Sequence, residues 1–140
     1  MENPVNFVLD PRLAADTLPV CDLPLCHVLL MNDSRYPWCV LVPRLAGARE
    51  IHHLPEAFQQ LLWSETRQVA TLLESMTQAD KMNIAALGNM VPQLHMHIIA
   101  RLKSDDAWPS PVWGRHPPRP YTPESAANRC NALRRALLAN

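Results

Sequence analysis

Two of the six histidines in this 140-residue chain lie two positions apart, in Gln93-Leu94-His95-Met96-His97-Ile98-Ile99. Side chains alternate across an extended strand, so Gln93, His95 and His97 would share one face and Leu94, Met96 and Ile98 the other. The apolar set suits a core. Two imidazoles on one face lie within about 7 Å of each other, close enough to hold one small anionic group. The pattern alone allows three readings. It can be the polar face of a half-buried strand. It can be half of a zinc site, with further ligands from His52, His53, His116 or a cysteine, although no spacing selects one. Or it can be a centre for nucleophilic catalysis at phosphorus. Imidazole, with an ordinary pKa near 6.5, is largely unprotonated at neutral pH. One ring nitrogen attacks while a hydrogen bond orients the other, giving a covalent intermediate that water resolves. A second imidazole or an amide donor then stabilises charge on the phosphoryl oxygens.

The elements that would position these residues can be read from periodicity and turn chemistry. Asp10-Pro11 is an N-cap followed by proline at the first helical position, predicting a short helix from Pro11 to Asp16. Thr17 to Pro24, with two prolines, should be extended. Leu25 to Met31 and Trp38 to Val42 read as strands joined by Asn32-Asp33-Ser34-Arg35-Tyr36-Pro37, most simply an antiparallel hairpin. Arg44 to His53 connects to the longest periodic segment. There Phe58, Leu61, Leu62, Val69, Leu72, Leu73 and Met76 recur at three- and four-residue intervals, with Glu65 interrupting, and predict an amphipathic helix from Pro55 to Thr77. Lys81 to Leu87 and Leu94 to Ala100 read as two more strands, separated by a loop at Gly88-Asn89-Met90-Val91-Pro92. Residues 104–121 hold five of the fourteen prolines together with Trp108 and Trp113, and are expected to form an irregular arm. That arm could cap the site or cover a dimer partner. Thr122-Pro123-Glu124 opens a terminal helix over residues 122–138, with Ala126, Cys130, Leu133 and Leu137 as its apolar stripe. The whole is an α+β domain, an antiparallel sheet with helices packed on it.

Bulk properties narrow the partners. Thirteen basic residues balance thirteen acidic ones, so no global field favours a nucleic-acid backbone. No stretch approaches the roughly 18 apolar residues of a membrane span, and Met1-Glu2-Asn3-Pro4 lacks the features of a leader, so a cytoplasmic location is expected. Cys21, Cys26, Cys39 and Cys130 are too sparse for a disulfide framework and are read as ordinary, mostly buried thiols.

The run Gln93-Leu94-His95-Met96-His97-Ile98-Ile99-Ala100-Arg101 resembles the histidine-triad (HIT) superfamily, whose motif is His-φ-His-φ-His-φ-φ with φ apolar. The strands Val28 to Asn32 and Trp38 to Pro43, the Ile51-His52-His53-Leu54 lead-in, the long helix and Gly88-Asn89-Met90-Val91 follow the family's order. The likeness runs roughly from Cys21 to Arg101, and the chain is identified as a bacterial-type member carrying a Gln-x-His-x-His variant of the triad. The resemblance implies one HIT-like domain over residues 1–140, with a sheet of about five antiparallel strands, one long helix and shorter helices. It implies that His95 is the nucleophile forming a nucleotidyl-histidine intermediate at the α-phosphate, that His97 contacts phosphate and leaving-group oxygens, and that Gln93 takes the first triad position. Asn89 would contact phosphate and Asn32 the ribose. The implied activity is hydrolysis or transfer on a small nucleotide, either a dinucleoside polyphosphate or a nucleoside phosphoramidate, by a homodimer without a cofactor or bound metal. A non-catalytic purine-nucleotide-binding protein is the alternative. Four departures stand out. Gln93 replaces a histidine, Trp38-Cys39 stands where a Gly-His pair often begins the second strand, the zinc-binding Cys-x-x-Cys of some branches is absent, and the glycine-rich loop before the triad is shortened to Gly88-Asn89-Met90. His52 and His53 read as a helix lead-in, and Arg101 as a solvated strand end.

Overall fold

A computed structural model describes residues 6–139; the reading of Met1 to Pro4 lies outside them. The elements run α1 (Pro11–Asp16), β1 (Thr17–Asp22), β2 (Cys26–Met31), β3 (Trp38–Pro43), α2 (Glu56–Thr77), β4 (Lys81–Ala85), β5 (Met96–Arg101) and α3 (Pro123–Leu138). All five strands are antiparallel to their neighbours, in the spatial order β1-β2-β3-β5-β4. The α+β architecture is therefore as expected. The extended segment after α1 supplies the fifth strand. It lies at an edge of the sheet, which is where Pro19 is tolerated because its missing N–H costs no ladder bond.

Alternation along β3 and β5 sorts side chains onto two layers. Cys39, Leu41, Met96, Ile98 and Ala100 join Leu62, Val69 and Leu73 of α2 and Leu133 and Leu137 of α3 in the larger core. Trp38, Val40, Val42 and Ile99 face the opposite side, where they pack with Leu13 of α1 and with Ala107 and Val112 of the proline-rich arm. Both faces of the central strands are thus covered. Glu65, the break in the apolar stripe of α2, is itself buried and accepts hydrogen bonds from the backbone N–H groups of Leu25 and Cys26, each at 2.9 Å. The interruption is a polar tie between α2 and the β1–β2 turn. Burial and the adjoining Glu65 together raise the Cys26 thiol, keeping it neutral.

Two strand boundaries differ from expectation by two residues. β4 stops at Ala85 rather than Leu87, and β5 begins at Met96 rather than Leu94. The β3–β5 ladder ends at Leu41 opposite Met96, and the backbone N–H of Leu94 bonds instead to the carbonyl of Ala48 at 2.9 Å. With no strand partner before Met96, the chain leaves the sheet there. Gln93 and His95 consequently sit in the approach to β5, outside its alternation.

The arm over residues 104–121 has turns but no helix or strand, and one buried ion pair organises it. Arg101, at the end of β5, holds Asp105 through two bonds of 2.7 and 3.0 Å, with side chains 3% and 5% exposed. Arg101 also donates to Asn83 Oδ1 and the Ser110 carbonyl, and it lies over the rings of Tyr36 and Trp108. Asp105 in turn accepts from the backbone N–H groups of Leu102, Ala107 and Trp108. Burial raises the Asp105 carboxyl, but Arg101 and the Leu102 and Trp108 amides outweigh it and leave the pKa below the ordinary value. Arg101 is therefore the anchor of the arm and not a solvated strand end.

Candidate active site

His95 is held by its own neighbourhood. Its Nδ1 lies 2.7 Å from the carbonyl oxygen of Gln93. A carbonyl can only accept, so Nδ1 carries the proton and the neutral ring presents its lone pair at Nε2. His97 follows on β5, with the two ring centroids 4.9 Å apart and nearly perpendicular. Both residues are buried, at 6% and 5% exposure. They do not form a solvent-facing polar stripe, because Trp113 of the arm lies against His97 at 5.3 Å and Trp38 of β3 lies at 5.7 Å. Among the described residues neither Nε2 makes a hydrogen bond, and neither is among the fully buried polar atoms left without a partner. Both nitrogens remain reachable. Burial, with His95 as a second contribution, pushes the His97 pKa down to about 4.

A cavity of about 550 Å³ opens beside His97, within the range of small-ligand sites. Arg12 and Asp16 of α1, Asn32 of the β2–β3 turn, Trp38, and Trp113 and His116 of the arm contribute to its wall. The arm therefore closes over the histidine face. A second cavity of about 570 Å³, between α2 and α3, contains no histidine, cysteine or carboxylate.

The remaining candidates are dispersed differently. The Gln93 side chain turns away from the histidines: its Oε1 accepts from the Asp10 N–H at 2.8 Å and its Nε2 donates to the Val8 carbonyl at 2.9 Å. It ties the approach to β5 to the segment that caps α1, and only its backbone carbonyl meets His95. Its expected place on a shared strand face is thus corrected, because residue 93 precedes the strand. Asn32 lines the cavity while its Oδ1 accepts from the Tyr121 N–H at 2.9 Å. Asn89 is exposed on the loop between β4 and β5 and does not line the cavity. His52 and His53 form a 3-10 turn before α2, as a lead-in should. Cys26, Cys39 and Cys130 are buried and Cys21 is half-buried, all as free thiols. Among the described residues no group of three or more His, Cys, Asp or Glu side chains could hold a metal ion, and no helix is long and apolar enough to cross a membrane.

The HIT domain family matches residues 12–104, well over half of the chain. The chain belongs to the HIT domain family. Solved relatives agree over nearly their whole length. A histidine triad protein from Marinobacter aquaeolei VT8 is 51% identical with a TM-score of 0.91, covering 95% of this chain and 96% of that one. A histidine triad protein from Bradyrhizobium japonicum is 48% identical with a TM-score of 0.90, covering 93% and 97%. One from Sinorhizobium meliloti 1021 is 44% identical, also at 0.90, covering 91% and 95%. No curated protein is significantly similar to the chain.

Within this HIT fold, sequence reasoning missed Trp38, Trp113 and Arg12 as neighbours of the histidines. Trp38 shares a face with Val40, and Val40 pairs with His97, so the β3–β5 register makes Trp38 a diagonal neighbour of His97. That register could not be read from the sequence, since 52 residues separate the two strands. Trp113 and Arg12 come from irregular or distant segments with no periodic signal.

Proposed function

We propose that this HIT protein cleaves a small nucleotide derivative at its α-phosphate, a dinucleoside polyphosphate or a nucleoside phosphoramidate, through a nucleotidyl intermediate on His95. The observation that carries the proposal is the bond from His95 Nδ1–H to the Gln93 carbonyl, which leaves the lone pair of the neutral ring on Nε2 for attack at phosphorus. In this reading Nε2 donates its lone pair to the α-phosphorus. The P–O or P–N bond to the leaving group breaks, and that group departs with the electron pair and takes a proton from solvent. The nucleotidylated ring is then cationic, and the Gln93 carbonyl continues to accept from Nδ1–H. Water attacks the same phosphorus, the P–Nε2 bond breaks with its electrons returning to the ring, and one proton of the attacking water is lost to solvent. The product is a nucleoside monophosphate.

The cavity walls supply recognition. Trp38 and Trp113 offer aromatic faces to a base, and Asn32 offers an amide to the ribose. Asn89 binds phosphate in this reading from the exposed loop leading to His95. The triad is a Gln-x-His-x-His variant in which Gln93 acts through its carbonyl. The protein would act in the cytoplasm as a homodimer; sedimentation as a 15.8 kDa species would contradict the dimer. The test of the activity is cleavage of both substrate classes by purified protein and by His95→Ala. Loss of cleavage in the variant is expected. Full activity in it, or none in the wild type, refutes the proposal.

A further inference from the structure

The indole of Trp38 stands in a chemically one-sided relation to His97. Its Nε1 lies 3.1 Å from His97 Nδ1, and both side chains are buried. An indole N–H can donate and has no lone pair to accept with, so Nδ1 of His97 must be unprotonated to receive it. The neutral ring then carries its proton on Nε2. His95 is fixed in the opposite sense, because its Nδ1 faces a carbonyl oxygen. The two adjacent rings thus present a lone pair at one Nε2 and an N–H at the other. A nucleophile and a hydrogen-bond donor stand side by side.

We propose that Trp38 is a positioning residue that holds His97 in its Nε2–H form, so that His97 serves the reaction as a neutral hydrogen-bond donor to phosphoryl or leaving-group oxygen. The surroundings favour this role. Trp38 is 7% exposed and is wedged edge-on between Tyr36 and Trp113, at ring separations of 6.4 and 6.3 Å. On the adjacent antiparallel strand its partner is Ile99, which puts it diagonally across from His97 on the same face. These ring contacts and the bond to His97 hold the indole in this orientation. Trp113 also touches the His97 ring, but its Nε1 is buried without a partner and sets no tautomer. The low pKa of His97 agrees with a ring kept neutral at this position.

Nitrogen-15 spectra of the histidine side chains test the assignment without any substrate. In the wild type, His97 should show a single form with Nε2 protonated. Trp38→Phe keeps most of the aromatic volume and removes the N–H, so the His97 nitrogens should move to the averaged shifts of a tautomer mixture. Trp113→Phe should leave them where they are. The kinetic consequence rests on the nucleotide-cleaving reading: Trp38→Phe should lower kcat on the order of 10- to 100-fold, as partial loss of a transition-state donor does. Its KM should stay within about twofold, since ground-state binding is kept. A wild-type spectrum with Nδ1 protonated overturns the proposal whether or not the variant folds. An unchanged His97 tautomer in Trp38→Phe, or a changed tautomer with unchanged kcat, overturns it as well. Failure of the wild type to cleave would remove the nucleotide-cleaving reading, while the spectra would still decide whether Trp38 sets the form of His97.

Discussion

Replacing Asp105 with asparagine should loosen the arm that closes the histidine face. The exchange keeps the size of the side chain, and Oδ1 can still accept from the Ala107 and Trp108 amides. It removes the negative charge and turns an NH₂ toward Arg101 Nε, where a carboxylate oxygen had accepted at 2.7 Å. Arg101 is left buried and charged with no counter-ion, since its other partners are the neutral Asn83 and the Ser110 carbonyl. Breaking a buried pair from one side costs about 3–5 kcal/mol, against a total stability of about 5–15 kcal/mol for a domain. At about 3–4 °C per kcal/mol for a chain of this size, the melting temperature should fall by about 10–20 °C. Calorimetry measures the fall. Hydrogen exchange should show its focus, with protection lost first at Ala107 and Trp108 and last in β3 and β5. A change under about 3 °C, or lost protection spread evenly over the chain, would refute the assignment of the arm's stability to this pair.

Acid should destabilise the fold in a defined window. His97 titrates near 4 in the folded chain against 6.5 as its ordinary value, so between those limits the unfolded chain binds more protons. Its neutral burial is therefore fully compatible with folding above pH 6.5 and costs increasingly as pH falls through that range, by about 3 kcal/mol below pH 4. Asp105, with its carboxyl held below the ordinary value, adds a further loss only at lower pH. Denaturant midpoints at pH 7.5 and pH 4.5 should show the drop, and His97→Asn should flatten it; equal slopes in both proteins would contradict it. Gln93→Ala removes two bonds to the Val8 and Asp10 backbone and should raise exchange along residues 6–16 while lowering kcat less than about tenfold, because the carbonyl on His95 stays. A loss above a hundredfold with unchanged exchange would return the Gln93 side chain to the chemistry. Glu65→Ala strands the buried amides of Leu25 and Cys26 and should cost about 2–6 kcal/mol in chemical denaturation; a cost within error of zero would show that tie to be dispensable.

Local rules carried much of this structure. The Asp10-Pro11 cap, the three-and-four spacing of α2 and the Thr122-Pro123 start of α3 are signals within one element, and each element formed where its signal lies. The adjacency of His95 and His97 was also local, being two residues of backbone. What was not legible depended on partners far along the chain. Residue 93 appeared to extend the alternation of β5, yet the strand needs β3 opposite it, and that ladder ends at Met96. Arg101 read as a solvated end because its counter-ion lies in an arm with no periodic pattern. Glu65 read as a blemish in an apolar stripe because the amides that it satisfies are about 40 residues earlier in the chain. Trp38 acquired its relation to His97 only through the pairing of β3 with β5.

The central claim is that His95 Nε2 attacks the α-phosphorus, and the direct test is to trap what it forms. Wild-type protein mixed briefly with an adenosine phosphoramidate or a diadenosine polyphosphate, quenched and digested, should yield a peptide carrying one adenylyl group on His95 by mass spectrometry. His95→Ala should yield none. Turnover without any adduct on His95, or an adduct on His97 that persists in His95→Ala, would contradict the account.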